Sequence, residues 1–231
     1  MNNLHFQKDE WLTDLLGCDT YHLTGKLSNY DEIVLPHSRA FVDVKVSVDK
    51  VSHLITLQDK GFRLVDTNVQ LLRRANRLVI DSNECRFANE QDYEEVCKIA
   101  STSFTKSRFH LDPNISDATA NIVKREWASN FFSGKRGEWM IVAQKQGAVV
   151  GFLQALRRLN SIVIDLIAVE SGSRGQGIAA SMVSFANKKC LSATSDMNVG
   201  TQISNIASLD FYLKLGFKIV ASDYVLHLHQ K

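Results

Sequence analysis

The chain has 231 residues, 45% hydrophobic and 23% charged, an ordinary globular composition with room for one large domain or two small ones. A formal net charge of +2 and a sequence pI of about 8.3 are too mild to argue for a nucleic-acid partner. No stretch is long enough to span a bilayer, and residues 1–10 lack the apolar run of a signal peptide, so a cytoplasmic protein is expected.

In chain order, residues 10–17 read as a short helix carrying Trp11, Leu12, Leu15 and Leu16, and 20–23 as a strand. Residues 41–48 alternate cleanly and predict a half-buried strand. Residues 50–60 have helical spacing (Val51, Leu54, Leu57), closed by Gly61, and strand pattern continues over 62–65 and 68–71. The polar run 73–84 marks a domain joint, giving a first block of 1–80 and a second of 84–231. A strand begins near Cys85. Asn89 or Glu90 caps a helix bearing Tyr93, Val96, Ile99 and Ala100. A second helix covers 116–132. Residues 139–143 and 149–155 form a hairpin about Gln146-Gly147. Strand 162–169 follows, then a glycine turn and a helix whose apolar positions are Ile178, Met182, Phe185 and, further on, Leu191. Strand 197–202, helix 207–214 and strands 217–220 and 224–229 close an α/β domain with a mixed sheet. The four cysteines, Cys18, Cys85, Cys97 and Cys190, form no Cys-x-x-Cys pair, so they read as reduced, mostly buried thiols, with neither zinc nor disulfides expected.

The chain is organised around 162–183. The strand is apolar and β-branched, interrupted only by Asp165, and Gly172, Gly175 and Gly177 follow at once. A strand feeding a helix through a Gly-rich turn leaves free backbone N–H groups at the helix start, which with the helix dipole suit an oxyanion such as a phosphate. No Gly-Lys-Ser/Thr closes the turn and no full Gly-x-Gly-x-x-Gly is present, which disfavours a nucleotide-triphosphate loop and a dinucleotide fold.

Arg174-Gly175-Gln176-Gly177-Ile178-Ala179 resembles the (Q/R)-x-x-G-x-(G/A) signature of the GNAT superfamily of N-acetyltransferases. The resemblance implies that this turn cradles the pyrophosphate of acetyl-CoA, used as co-substrate with no metal. It implies that backbone N–H groups of Leu166, Ile167, Ala168 and Val169 polarise the thioester carbonyl and pair with the pantetheine amides. It implies homodimers as a common assembly. Residues 201–217 resemble the late family motif, an Asn opening a helix and a Tyr before Gly-Phe. By that resemblance Asn205 binds the cofactor arm and Tyr212 is the general acid for the departing sulfur; a phenol stays protonated at neutral pH and suits the task. The plainer alternatives are an N-cap for Asn205 and a packed aromatic for Tyr212.

Residues 57–65 echo 213–220: helix, Gly-Phe, strand. Beside the signature, the echo suggests that the first block is a truncated, GNAT-like α/β half-domain without a phosphate turn, structural or acceptor-shaping rather than catalytic. Residues 100–109, a downstream helix with Trp127, and Thr201-Gln202 ahead of Asn205 resemble the dTDP-fucosamine acetyltransferase family of bacterial surface-polysaccharide synthesis, which acetylates a nucleotide-linked 4-amino-4,6-dideoxy sugar. The segment 170–173 is longer than in that family, which leaves the acceptor open.

Arg108 could bind the diphosphate of a sugar nucleotide by its planar fork, or sit in a structural ion pair. Phe109 and Trp127 could stack on a base or sugar, or pack in the core. Asp165 and Glu170 flank the active strand; either could accept the amine proton through water, and the plainer reading is a solvated carboxylate. His227 and His229 alternate with Leu226 and Leu228 and are expected to point outward. The expected function is transfer of acetyl from acetyl-CoA to the amine of a sugar nucleotide by direct attack, with no covalent acetyl-enzyme. Another small-molecule amine, a protein terminus, or a CoA-binding sensor without turnover remain alternatives.

Overall fold

The computed structural model describes residues 5–25, 33–74, 80, 84–159, 161–190 and 196–231. Ten strands form one sheet among them: β1 (His5–Lys8), β2 (Asp19–Thr24), β3 (Ala40–Ser47), β4 (Arg63–Arg73), β5 (Glu84–Phe87), β6 (Trp139–Lys145), β7 (Ala148–Arg158), β8 (Ser161–Val169), β9 (Asp196–Gln202) and β10 (Lys218–Gln230). Their spatial order is β1-β2-β3-β10-β4-β9-β8-β7-β6-β5. β2–β3 and β8–β9 are parallel and the other pairs antiparallel, so the sheet is mixed as expected.

Helices cover both faces. On one side, α6 (Ile178–Lys189) and α7 (Ile206–Lys214) bury Ile178, Met182, Val183, Leu209 and Tyr212 against Ile162, Ile164, Met197 and Val199. On the other, α3 (Tyr93–Ser103) and α5 (Asp117–Phe132) set Val96, Ile99, Ala100 and Ala128 on Val142, Phe152, Leu166 and Ala168. Asn89 caps the 3₁₀ turn that leads into α3, through a capping box with Asp92. Near the amino terminus, α2 (Val51–Asp59) covers Val42, Val44 and Val46. α1 (Glu10–Leu16) and the four-residue α4 (Arg108–Leu111) pack with α5 over Phe41. With helices on both sides, residues 40–44 of β3 are all buried. The expected half-buried strand is therefore corrected: alternation persists, but neither face of that part is left to solvent.

The two echoing segments adopt the same joint. Phe62 N–H donates to the Leu57 carbonyl at 3.0 Å and Phe217 N–H to the Tyr212 carbonyl at 3.1 Å, about Gly61 (φ +95°) and Gly216 (φ +82°). These are left-handed helix caps with the following Phe driven into a core, 0% and 2% exposed. The strands they launch, β4 and β10, pair with each other.

Two further expectations change. Residues 217–220 and 224–229 are not separate strands; β10 is one strand with two irregularities in its register against β4. It does not close an edge. It lies between β3 and β4, so the sheet runs unbroken from the first block into the second. Most of the joint read at 73–84 lies outside the described residues, as does Leu191. The four cysteines are unpaired; Cys97 is buried and Cys18, Cys85 and Cys190 are half-buried.

Candidate active site

The site begins with a fault in β8. Gln154 of β7 pairs with Leu166, but Ala155 pairs with Ile164, leaving Asp165 as the extra residue of a bulge. Side chains alternate faces along a strand, so one inserted residue switches the pattern. Ile162 and Ile164 face α6, whereas Leu166 and Ala168 face α3 and α5. Asp165 turns toward α5. Its carboxylate accepts two bonds from Arg136, Nε–Oδ2 2.7 Å and Nη2–Oδ1 2.7 Å, and one from Trp127 Nε1 at 2.8 Å. Its side chain is 8% exposed. The solvated carboxylate expected at Asp165 is thus replaced by a buried, fully engaged one. Glu170 accepts from Ser173 Oγ at 2.8 Å.

Beyond the bulge, β8 and β9 part. They pair over Ser161–Ile164 against Asp196–Val199 and no further, while β9 continues on β4 through Gln202. Leu166, Ile167, Ala168 and Val169 keep β7 on one side and, among the described residues, have no strand on the other. An open strand edge of this kind can pair with an amide-bearing chain and present N–H groups to a carbonyl.

The glycine turn stands at the end of that edge. Gly175 (φ +76°) and Gly177 (φ +75°) are left-handed, and Gly177 is the residue that opens α6. A Cβ at either would meet nothing within 4 Å, so the turn borders open space. Arg174 braces it: its Nε donates to the Val169 carbonyl at 3.0 Å and its Nη2 to the Ser103 carbonyl at 3.3 Å. Arg174, Gly175, Gly177, Ile178 and Ala179 line one large cleft of about 1200 Å³, together with Leu166–Val169, Asn205 and Tyr212. The Gln176 side chain turns away and accepts from Lys145 Nζ at 2.8 Å.

Asn205 caps α7, its Oδ1 accepting from Ser208 N–H at 3.4 Å. Tyr212 is 3% exposed, packed between Phe211 and Phe217 at centroid distances of 5.0 and 5.3 Å. Burial pushes its phenol well above the ordinary value, so it holds its proton. It lines the cleft, and its hydroxyl makes no hydrogen bond to the described residues.

The far side of the cleft comes from the first block, α4, α5 and the turn that follows α5: His22, Asp43, Lys45, Asn68, Arg108, Lys124 and Arg136 all line it. Arg108 bonds Asp43, and Asp43 also meets His22, whose second nitrogen lies 2.9 Å from Asp9. Burial would raise the Asp43 carboxyl, but Arg108 and His22 outweigh it and hold it at about 2. The Asp43 hydrogen bond raises His22. Phe109 is 1% exposed in the core cluster with Leu12 and Phe41, and the Arg108 guanidinium lies 4.6 Å from its ring centroid. Neither His22, Asp43, Lys45 nor Lys124 was singled out in the sequence. Lys124 left a signal, since it falls on the buried stripe of α5 with Ala120, Val123 and Ala128.

His227 and His229 do not both point outward. His227 is 1% exposed, and Asp112 Oδ2 meets His227 Nδ1 at 2.6 Å and His229 Nε2 at 2.8 Å. Burial lowers His227, while the two imidazoles, working against burial, hold Asp112 well below the usual carboxylate range. Among the described residues this is the one group of three metal-type donors, with ligand atoms within 4.8 Å of one another. No helix among them is long and apolar enough to cross a membrane.

Residues 92–226 match the family model described as an acetyltransferase (GNAT) domain. The chain is 35% identical over 138 residues to the spore coat polysaccharide biosynthesis protein SpsD of Bacillus subtilis, a match covering 59% of this chain but only 47% of that protein. It is 28% identical over 200 residues to the dTDP-fucosamine acetyltransferase of Escherichia coli O6:H1, covering 85% and 84% of the two chains. Among solved structures, a functionally unknown conserved protein from Staphylococcus epidermidis superposes with a TM-score of 0.64 at 16% identity, covering 83% of this chain and 73% of its own. A GCN5-related N-acetyltransferase from Sphaerobacter thermophilus gives 0.59 at 13% identity, covering 83% and 60%. The structures share the fold; the family model, spanning well over half the chain, goes further, and the chain belongs to the GNAT acetyltransferases.

Proposed function

We propose that the chain transfers acetyl from acetyl-CoA to the amine of a nucleotide-linked amino sugar of the dTDP-4-amino-4,6-dideoxyhexose type, serving surface-polysaccharide synthesis. The parting of β8 and β9 beside a glycine turn, within one cleft, carries the reading. Acetyl-CoA supplies an activated thioester. The open edge of Leu166–Val169 grips the arm and offers N–H groups where negative charge develops on the carbonyl oxygen. Arg174–Ala179 surround the diphosphate, with the N–H groups at the start of α6 and the helix dipole favouring its charge. The Asn205 amide nitrogen, left free by the cap, reaches toward the arm. Tyr212 donates its proton to the departing sulfur, and the proton shed by the attacking amine returns to the phenolate through solvent, which closes the balance.

The first block shapes the acceptor end, where β2, β3 and α4 bring His22, Asp43, Lys45 and Arg108 to the wall. Phe109 backs Arg108 from the core rather than offering its face. The acceptor class is supported by the names of two relatives, one a polysaccharide biosynthesis protein and one a dTDP-sugar acetyltransferase. The test is turnover: acetyl-CoA is mixed with dTDP-4-amino-4,6-dideoxygalactose, a polyamine and a peptide amine, and free CoA thiol is followed. Thiol release with the sugar nucleotide and not the others is expected. Release only with the polyamine or peptide moves the acceptor elsewhere, and CoA binding without turnover leaves a sensor.

A further inference from the structure

Two ammonium groups in the cleft are left over after its charges are paired. Asp43 is taken by Arg108 and His22, and Asp165 by Arg136 and Trp127. Lys45 of β3 and Lys124 of α5 line the same cleft, and among the described residues neither has a hydrogen bond or ion pair. Lys124 is 9% exposed. Its Nζ sits 4.9 Å from the Phe104 ring centroid and 4.6 Å from that of Trp127, an aromatic seat that holds a cation without neutralising it.

Arg108 lies within electrostatic reach of both lysines. Burial first, and the Arg108 charge second, depress each ammonium; Lys124 falls to about 8. The other charges facing Lys124 are Asp165 and Arg136, and those facing Lys45 are Asp43, Asp66 and Asp223. Lys45 enters the cleft from an exposed position on β3, whereas Lys124 is enclosed, and a buried ammonium facing a cavity without a counter-ion is costly. Such a cost is sustained where a ligand brings the missing anion.

We infer that Lys45 and Lys124 form a two-armed clamp for the diphosphate of the acceptor, with Arg108 as a positioning residue between them, its own charge spent on Asp43. The inference rests on the nucleotide-linked acceptor proposed above and names the groups that select it. It also gives the first block a share in specificity, because one arm of the clamp stands on β3.

The clamp is tested on the full chain saturated with CoA, by titration calorimetry with dTDP and with inorganic pyrophosphate. Wild type binds both. Lys45→Met and Lys124→Met each weaken dTDP by about tenfold or more, the scale of one charge-assisted contact, with CoA affinity and melting temperature held. Methionine keeps the length of the buried stem, and Lys124→Arg, which keeps the charge, restores most of the affinity. At pH 8.5, dTDP binding takes up a proton, read from buffers of different ionisation enthalpy, and Lys124→Met abolishes the uptake. Equal dTDP affinity in wild type and both methionine variants overturns the clamp and leaves the acceptor class standing. If CoA-saturated wild type binds neither dTDP nor pyrophosphate, clamp and nucleotide acceptor both fall, while CoA binding still upholds the cofactor half of the site.

Discussion

Arg108 and Asp43 tie α4 to β3 on the far side of the cleft: the guanidinium at the start of α4 bonds a carboxylate on β3, 65 residues away in sequence. Both side chains are largely buried, 16% and 8% exposed. Removing one partner strands the other, so Asp43→Asn is expected to cost about 3 kcal/mol in urea unfolding at pH 7. The acid limb changes as well. Asp43 has a folded value of about 2, below the ordinary carboxylate value near ~4. Its contribution is therefore present above pH ~4 and lost as pH falls through about 2. The variant's stability should fall less steeply over that window. An unchanged acid limb would show that the pair adds nothing.

Two histidines are expected to titrate in opposite directions. His22, bonded to Asp43, is raised, so its stabilisation is complete below its unfolded value near ~6.5 and lost as pH rises through the higher folded value. His227, lowered by burial, behaves inversely: its folded form is favoured above ~6.5 and loses ground as pH falls toward the lower folded value. Imidazole proton shifts followed by NMR from pH 5 to 8.5 should place His22 above an exposed histidine and His227 below it. Coincident titrations would contradict both environments.

The signs that a sequence carries are local, and the strand-turn-helix of β8 and α6 was legible for that reason. β-branched residues, three glycines and an amphipathic run each announce themselves within a few positions. The paired Gly-Phe joints were legible because a left-handed helix cap demands glycine. Partner choice leaves no such mark. Nothing in Leu226-His227-Leu228-His229 tells that β10 lies between β3 and β4 with both faces covered over residues 225–228, so alternation pointed His227 at a solvent that is absent. The bulge at Asp165 was equally silent, since one carboxylate in an apolar strand reads as an interruption, not as a change of face. Lys124 was legible in principle from its place on the apolar stripe of α5.

Asp165→Asn should show what that bulge does. The carboxylate fastens β8 to α5 through Trp127 and to Arg136 through two bonds, directly before the open edge that begins at Leu166. Weakening the anchor misplaces the edge N–H groups, and small displacements of positioning groups can cost about 10²-fold in rate. A fall of roughly tenfold or more in kcat is expected, with a shift in Trp127 fluorescence and little loss of CoA affinity. Unaltered kcat with altered fluorescence would leave Asp165 a packing residue only.

Tyr212→Phe removes one oxygen from a ring held by Phe211 and Phe217, so packing is retained. As the general acid, its loss should lower kcat by about 10²–10⁴-fold while CoA binds as before. Wild-type kcat in the variant would assign the proton to another donor.

Gly177→Ala separates strain from occupancy at the turn. Gly177 has φ +75°, which an alanine adopts at a cost of about 1 kcal/mol, and its missing Cβ faces open cleft rather than protein. Stability should thus fall modestly, by about 1 kcal/mol in urea unfolding. CoA affinity should fall further, by about tenfold or more, since the added methyl stands where the diphosphate approaches the α6 N–H groups. Gly172 supplies the control: it also has open space around its Cβ position but no left-handed φ. Gly172→Ala should leave stability and CoA binding near wild type. Calorimetric titration with CoA distinguishes the outcomes, and parallel loss in both variants, or loss in neither, would move the diphosphate away from this turn.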